Sequence, residues 1–316
     1  MRRYLDPAVQ LAAPAILVVG VGIGSTFVSS SNEIYFLNAL VSVATVVAIY
    51  VFIGNSGVLS FGQMSFVAVG AFAAGIMTIP LESKTGVLPQ LFPLLRDHTV
   101  GNLVSLGLAA AAGGVFALVV GLPLMRLSGL AAGIATFAVL EVTHNILREW
   151  TKIGPGATTL SLVPETTVAC RRSRLGRRLR AYREDPAAAR GVGVNVHRER
   201  LWAFTVSGAL AGFAGGLLVH LLGSITTEQV YLELTFLTLA MLVIGGLTSL
   251  WGAVVGALVV SALDTFLIEA EQGVDVGFSL DLPQGTRLIF LGAIMALVLI
   301  VRPSGLTGGR EFRIAR

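Results

Sequence analysis

Residues 201–223 read Leu201-Trp-Ala-Phe-Thr-Val-Ser-Gly-Ala-Leu-Ala-Gly-Phe-Ala-Gly-Gly-Leu-Leu-Val-His-Leu-Leu-Gly223. The run holds no Asp, Glu, Lys or Arg. At roughly 20 residues, one helix crosses the hydrocarbon core of a bilayer with every backbone donor and acceptor satisfied inside it. Ser207-Gly208, Gly212 and Gly216 recur every four residues and share one helical face. Small residues at that spacing let two backbones approach in lipid, where packing drives helix association. The spacing assigns Gly208, Gly212 and Gly216 to helix packing, with a role in a moving interface as the second reading.

Working outward, similar runs lie near 8–28, 34–53, 61–79, 102–124, 128–147, 234–248, 250–268 and 286–302. The expectation is an all-α, polytopic transmembrane helical bundle of about nine spans, with residues 1–316 forming a single transmembrane domain. Composition agrees, because 13% charged residues and a mean hydropathy of +0.82 leave too little charge to cover a soluble domain. Arg2 and Arg3 precede an apolar stretch too long for a signal-peptide core, which therefore reads as the first span. Cys170 is the sole cysteine, so neither an internal disulfide nor a multi-cysteine metal site can form.

Ten arginines crowd residues 171–200, opposed only by Glu184, Asp185 and Glu199, with no interleaved aromatic stacking set. This is a topology signal and not a nucleic-acid footprint. The loop is expected in the cytoplasm, with both termini. The acidic stretch 269–281 belongs outside, where Asp264 is expected to sit at the membrane interface. From the basic loop onward, four spans return the chain to the cytoplasm. Before it, five spans place residues 148–170 outside, so one crossing is missing ahead of the loop. Either a span is absent or the count errs by one.

Within the loop, Ser173 to Asn195 begins basic and amphipathic and then carries a helix start. Asp185 can cap, Pro186 suits the first helical position, Ala187, Ala188 and Ala189 propagate, and Gly191 or Gly193 can terminate. On charge alone the stretch is a basic loop that sets topology. It also resembles the cytoplasmic loop of branched-chain amino acid ABC transporter permeases, with Arg183, Glu184, Asp185, Ala187, Ala188 and Gly191 matching the family pattern. Pro186 stands where the family often has an acidic residue. Gly54–Gly75, Leu127–Trp150 with Glu141, Ala203–Gly216 and Gly245–Gly256 are similar to further family segments in the same order, closest to the M-type of two paired subunits. The resemblance implies that residues 184–191 form a coupling helix. It further implies a second permease subunit, two cytoplasmic ABC ATPases that use the ATP, and an outer substrate-binding protein, in a bacterial inner membrane. The family normally carries one more apolar span before this loop, and the two arguments together favour a missing span.

Candidate pathway residues fall in two places. Residues 54–62, with Asn55, Ser56, Gly57, Ser60 and Gly62, read as a break or re-entrant turn, or as an ordinary short loop. Glu141 and His144 lie i, i+3 on one predicted span. They are expected either to hydrogen-bond each other or to contact solute. Gly245 and Gly246, with Gly252 and Gly256, suit a tight turn near 249. The sequence holds no Gly-x-x-x-x-Gly-Lys-Ser/Thr, no Gly-x-Ser-x-Gly and no His-Glu-x-x-His motif. No catalytic residue, metal ligand or cofactor site is therefore assigned, and the chain is not expected to be an enzyme. The alternatives are the same architecture importing urea, amides or other amino acids, and an ion-coupled secondary transporter. The last predicts several mid-membrane charges, and only the Glu141–His144 pair stands out.

Overall fold

The run quoted above folds as a single uninterrupted helix in the computed structural model. The structure describes residues 14–23, 30–156, 158–163, 196–272, 274–275, 279–280, 283, 285–302 and 304–308. In chain order the helices are α1 (Pro14–Ile23), α2 (Ser30–Ser56), α3 (Gln63–Thr78), α4 (Leu81–Val87), α5 (Pro93–Arg96) and α6 (Asn102–Leu124). Then follow α7 (Leu130–Glu149), α8 (Val196–Leu222), α9 (Leu232–Gly245), α10 (Leu250–Gln272) and α11 (Thr286–Val301). Between α10 and α11, Val274–Asp275 pairs antiparallel with Ser279–Leu280.

Each of the nine predicted spans carries a helix, so the polytopic all-α reading holds. Parts of α2, α6, α7, α8 and α10 are long and apolar enough to cross a membrane, while α1, α3, α9 and α11 are apolar but shorter. The 80–101 connection, left unassigned from sequence, contains α4 and α5.

The chain divides into two compact units, Ala48–Thr235 and Met1–Val47 with Phe236–Arg316. In the first, α8 packs between α3 and α6. A Cβ on Gly212 would run into the Ala109 carbonyl of α6, and one on Gly70 of α3 would run into the Gly212 backbone. Gly208 faces Ala117 and Gly113 of α6, and Gly216 faces Ala109 and Leu106. Around these contacts Phe204 stacks edge-on against Phe52 of α2 and Phe66 of α3, at centroid distances of 4.9 and 5.1 Å. Beyond the end of α3, Lys84 is fully buried and its Nζ donates to the His98 carbonyl at 2.7 Å.

In the second unit, Gly245 of α9 lies against Gly252 and Gly256 of α10. Gly246 turns the chain at φ +124°, and Ser249 Oγ accepts Gly252 N at 3.1 Å to cap α10. Residues 304–308 cover this turn, with Leu306 N donating to the Ile244 carbonyl at 2.7 Å. The structure holds Asp264 within the protein. It is only 8% exposed, because Arg287 Nε of α11 donates to its Oδ1 at 2.5 Å. A buried charge needs a partner, and α11 brings one.

The break near 54–62 is shorter than expected. α2 continues through Ser56, and only residues 57–62 leave the helix. Asn55 Nδ2 donates to the Val51 carbonyl one turn back at 2.9 Å, so Gly54 and Asn55 stay helical. Gly57, at φ +70°, supplies the left-handed ending.

The flanks of residues 164–195 bear on the missing crossing. Val163 N donates to the Gly223 carbonyl at 3.1 Å, just beyond the end of α8, whereas Val196 begins α8. A helix of 27 residues is about 40 Å long. The two described flanks therefore lie at opposite ends of α8, and the chain passes from one end to the other between them. The expected missing span falls on residues 164–195, which lie outside the described residues.

Candidate functional site along the α3–α7 seam

The inner part of the seam is the turn that leads into α3. Asn55, Ser56, Ser60, Gly62 and Gln63 are buried there, while Gly57 is exposed. Gly62 approaches α7 so closely that a Cβ would stand 2.6 Å from the Thr136 carbonyl oxygen. Phe61 N donates to Thr136 Oγ1 at 3.2 Å. No side chain caps α3, and the Ser60 Oγ and Gln63 Nε2 atoms are buried without a hydrogen-bond partner. Ser207 Oγ donates to the Ala48 carbonyl at 2.7 Å and lies 3.1 Å from Gln63 Oε1. With that hydroxyl proton committed to Ala48, a half-turn of the Gln63 amide lets Nε2 donate to Ser207.

At the far end of α7, Glu141 and His144 do not bond to each other, as one reading of their spacing had it. The Glu141 carboxylate accepts from the Tyr231 hydroxyl and from Asn145 Nδ2, the latter at 2.9 Å. His144 turns inward, 7% exposed, and stacks on the Tyr231 ring at a centroid distance of 3.8 Å. Its Nε2 lies 3.5 Å from Glu228 Oε1, and Arg148 reaches the same carboxylate oxygen at 3.6 Å. The reason is rotational: the loop after α8 supplies closer partners on each side of α7 than the helix offers along its face. The hydrogen bond to Glu141, with burial, pushes the Tyr231 phenol up to about 12.

A cavity of about 10 Å³ separates these two regions. It is bounded by Ser65 and Ala68 of α3, Leu140, Thr143, His144 and Leu147 of α7, and Thr227 and Val230 of the roofing loop. Ser65 Oγ and His144 Nδ1 are buried there without partners. The seam thus links both groups of predicted pathway residues, with Glu141 about 7 Å further along α7 than Thr136, at 1.5 Å per residue. Tyr231, Glu228, Ser65, Thr143 and Thr227 were missed from sequence, since their meeting depends on contacts up to 90 residues apart. The buried bond between Ser105 Oγ and His220 Nε2, at 2.8 Å, was missed for the same reason. Gly208, Gly212, Gly216, Gly245 and Gly246 lie away from the cavity, in the helix contacts described above. The coupling-helix residues Arg183, Glu184, Asp185, Pro186, Ala187, Ala188 and Gly191 lie outside the described residues. Among the described residues, no group of three or more His, Cys, Asp or Glu is placed to hold a metal ion.

Residues 157–299 match the family described as branched-chain amino acid transport system, permease component. The high-affinity branched-chain amino acid transport system permease protein LivM of Salmonella typhimurium is 24% identical, over 96% of this chain and 78% of that protein. The LivH permease protein of the same organism is 32% identical over 46% of this chain and 43% of its own length. The autoinducer 2 import system permease protein LsrC of Klebsiella pneumoniae is 35% identical over 31% of this chain and 30% of its own. No solved structure matches.

Proposed function

From its kinship with the branched-chain amino acid transport permeases, we propose that this chain is the membrane-spanning subunit of an ABC importer and forms part of the pathway for leucine, isoleucine or valine. The observation that carries the reading is likeness to LivM along 96% of the chain. Likeness to LivH over a shorter stretch supports pairing with a second permease of similar build. In this reading two cytoplasmic ATPases dock at residues 184–191 and consume the ATP, and a binding protein delivers solute from outside. The chain then sits in a bacterial inner membrane with both termini and the 171–200 loop in the cytoplasm, as its arginines favour. Closure of the ATPases moves the coupling helices, and the α3–α7 seam is the element of this chain that opens and closes.

Cargo can differ within one architecture, and the match to an autoinducer 2 permease keeps other small solutes as the second reading. The test is reconstitution of the chain with its partner permease, ATPases and binding protein in proteoliposomes. ATP-driven uptake of labelled leucine is expected, and it should vanish when this chain is omitted. Uptake that persists without the chain would sink the proposal.

A further inference from the structure

The cavity on the α3–α7 seam has a definite hydrogen-bonding sense. Thr143 Oγ1 donates to the Val139 carbonyl at 2.7 Å, and Thr227 Oγ1 donates to the Gly156 carbonyl at 3.2 Å. Each hydroxyl has spent its only proton, so what it can offer the cavity is a lone pair. The Glu228 carboxylate lies 3.5 Å from His144 Nε2, and the other ring nitrogen, Nδ1, is buried without a partner. Ser65 Oγ, fully buried and unpartnered, can act either way. Two acceptor hydroxyls, one unpartnered ring nitrogen and one adaptable hydroxyl thus border a space sized for about one water-like group. Leu140, Leu147, Ala68 and Val230 complete the wall with apolar carbon. Beside the roofing loop stand the Glu228 carboxylate, which Arg148 also reaches, and the Glu141 carboxylate held by Tyr231, two negative charges against one positive.

We propose that this cavity is a subsite for a hydrogen-bond-donating nitrogen head group, namely the primary ammonium of an amino acid during passage. The inference rests on the importer reading for the identity of the solute, while the acceptor set itself does not. A primary ammonium has three N–H donors and carries the charge that the carboxylates favour. A carboxylate would meet the lone pairs of Thr143 and Thr227 and the nearby Glu228 carboxylate, and is disfavoured. Amide nitrogen shares the donor chemistry, so a urea or amide cargo would use the same groups.

The test takes the full-length chain, purified alone and with its partner permease, and follows its thermal midpoint against added methylammonium chloride. Tetramethylammonium chloride is the control of equal charge with no N–H, and acetamide is the neutral donor. Methylammonium is expected to raise the midpoint and tetramethylammonium to leave it unchanged. In Thr143→Val and in Ser65→Ala the concentration needed should rise roughly tenfold or more, the loss expected for one charge-assisted hydrogen bond. Thr143→Ser keeps the hydroxyl and should restore the response, which a merely structural role would not predict. A response to acetamide and not to methylammonium would keep the donor chemistry and move the cargo to amides, overturning the ammonium assignment. Equal responses to both ammonium salts, or responses unchanged in the variants, would leave a cavity that holds water alone. In the reconstituted importer, the same variants should lower maximal leucine uptake without changing the half-saturating concentration of loaded binding protein. Absence of wild-type uptake would count against the importer reading, and the thermal response would still judge the cavity.

Discussion

Lys84 shows how a single residue can hold part of the cap outside the spans. Its ammonium is fully buried, and burial lowers its pKa from 10.5, partly opposed by the charge of Asp97. Its hydrogen bond to the His98 carbonyl ties α4 to the chain just ahead of α6. Below the folded-state pKa, both folded and unfolded chains hold the proton, and the fold bears a constant desolvation penalty. Between the folded-state pKa and 10.5 the unfolded chain holds more proton than the folded one, so stability should rise with pH in that window. Thermal unfolding followed through the window is expected to show this rise, and Lys84→Met should abolish it. A rise of equal size in the variant would assign the effect to another group. No sequence pattern marks Lys84, a lone lysine in a polar loop. The signal lies in burial, which needs α4 and the 97–100 segment already in place.

At the scale of elements, the four-residue glycine spacing in α8 led from sequence to contact because a helix converts that interval into one face. The structure adds the partners: Gly70 of α3 on one side of Gly212, and Ala109 with Gly113 of α6 on the other. Gly212→Val drives its side chain into the Ala109 carbonyl and the Gly113 backbone of α6. It should cost about 3 kcal/mol, the upper part of the range for overpacking, since a backbone carbonyl cannot swing away as a side chain can. Gly107→Ala is the matched control, because that glycine of α6 has nothing within 4 Å of an added Cβ. It should be neutral or slightly stabilising. Melting of the two purified variants reads the difference, and similar losses in both would mean that glycine in these helices matters for backbone flexibility and not for packing. Helix ends were less legible than helix cores. The end of α2 moved from residue 53 to Ser56 because the Asn55 side chain bonds one turn back and Gly57 provides the positive φ. Hydrophobicity alone carries neither fact. The candidate site was half legible: Glu141 and His144 stood out as ionisable groups in a span. Their real partners, Tyr231 and Glu228, come from a loop some 90 residues on.

For the whole molecule, what matters is on which side of the membrane each connection lies. Charge places the arginine loop inside, and hydropathy counts five spans before it, which left the sequence one crossing short. Within the Ala48–Thr235 unit the described flanks of the loop stand at opposite ends of α8, which is the placement a crossing between them requires. The 150–163 connection is anchored to the far end of α8 through the Leu160–Ile225 bridge and the Val163–Gly223 bond, while the 196–200 turn opens the near end. A chain of 32 residues, numbers 164–195, has ample reach for the roughly 40 Å between those ends, since even a helix rising 1.5 Å per residue would span it. Thr158 and His197 are both exposed and stand on the two sides of this passage. In a Cys170→Ser background, Thr158→Cys should react with a membrane-impermeant thiol reagent added to intact spheroplasts, and His197→Cys only after permeabilisation. Reaction of both from the same side would mean that α8 does not cross, and the seam beside it could not then face outward at Glu141 and Tyr231. Reaction in the reverse sense would keep the crossing and invert the chain. Residues 184–191 would then lie outside, beyond the reach of any cytoplasmic ATPase, and the importer reading would fail on topology even with the fold intact.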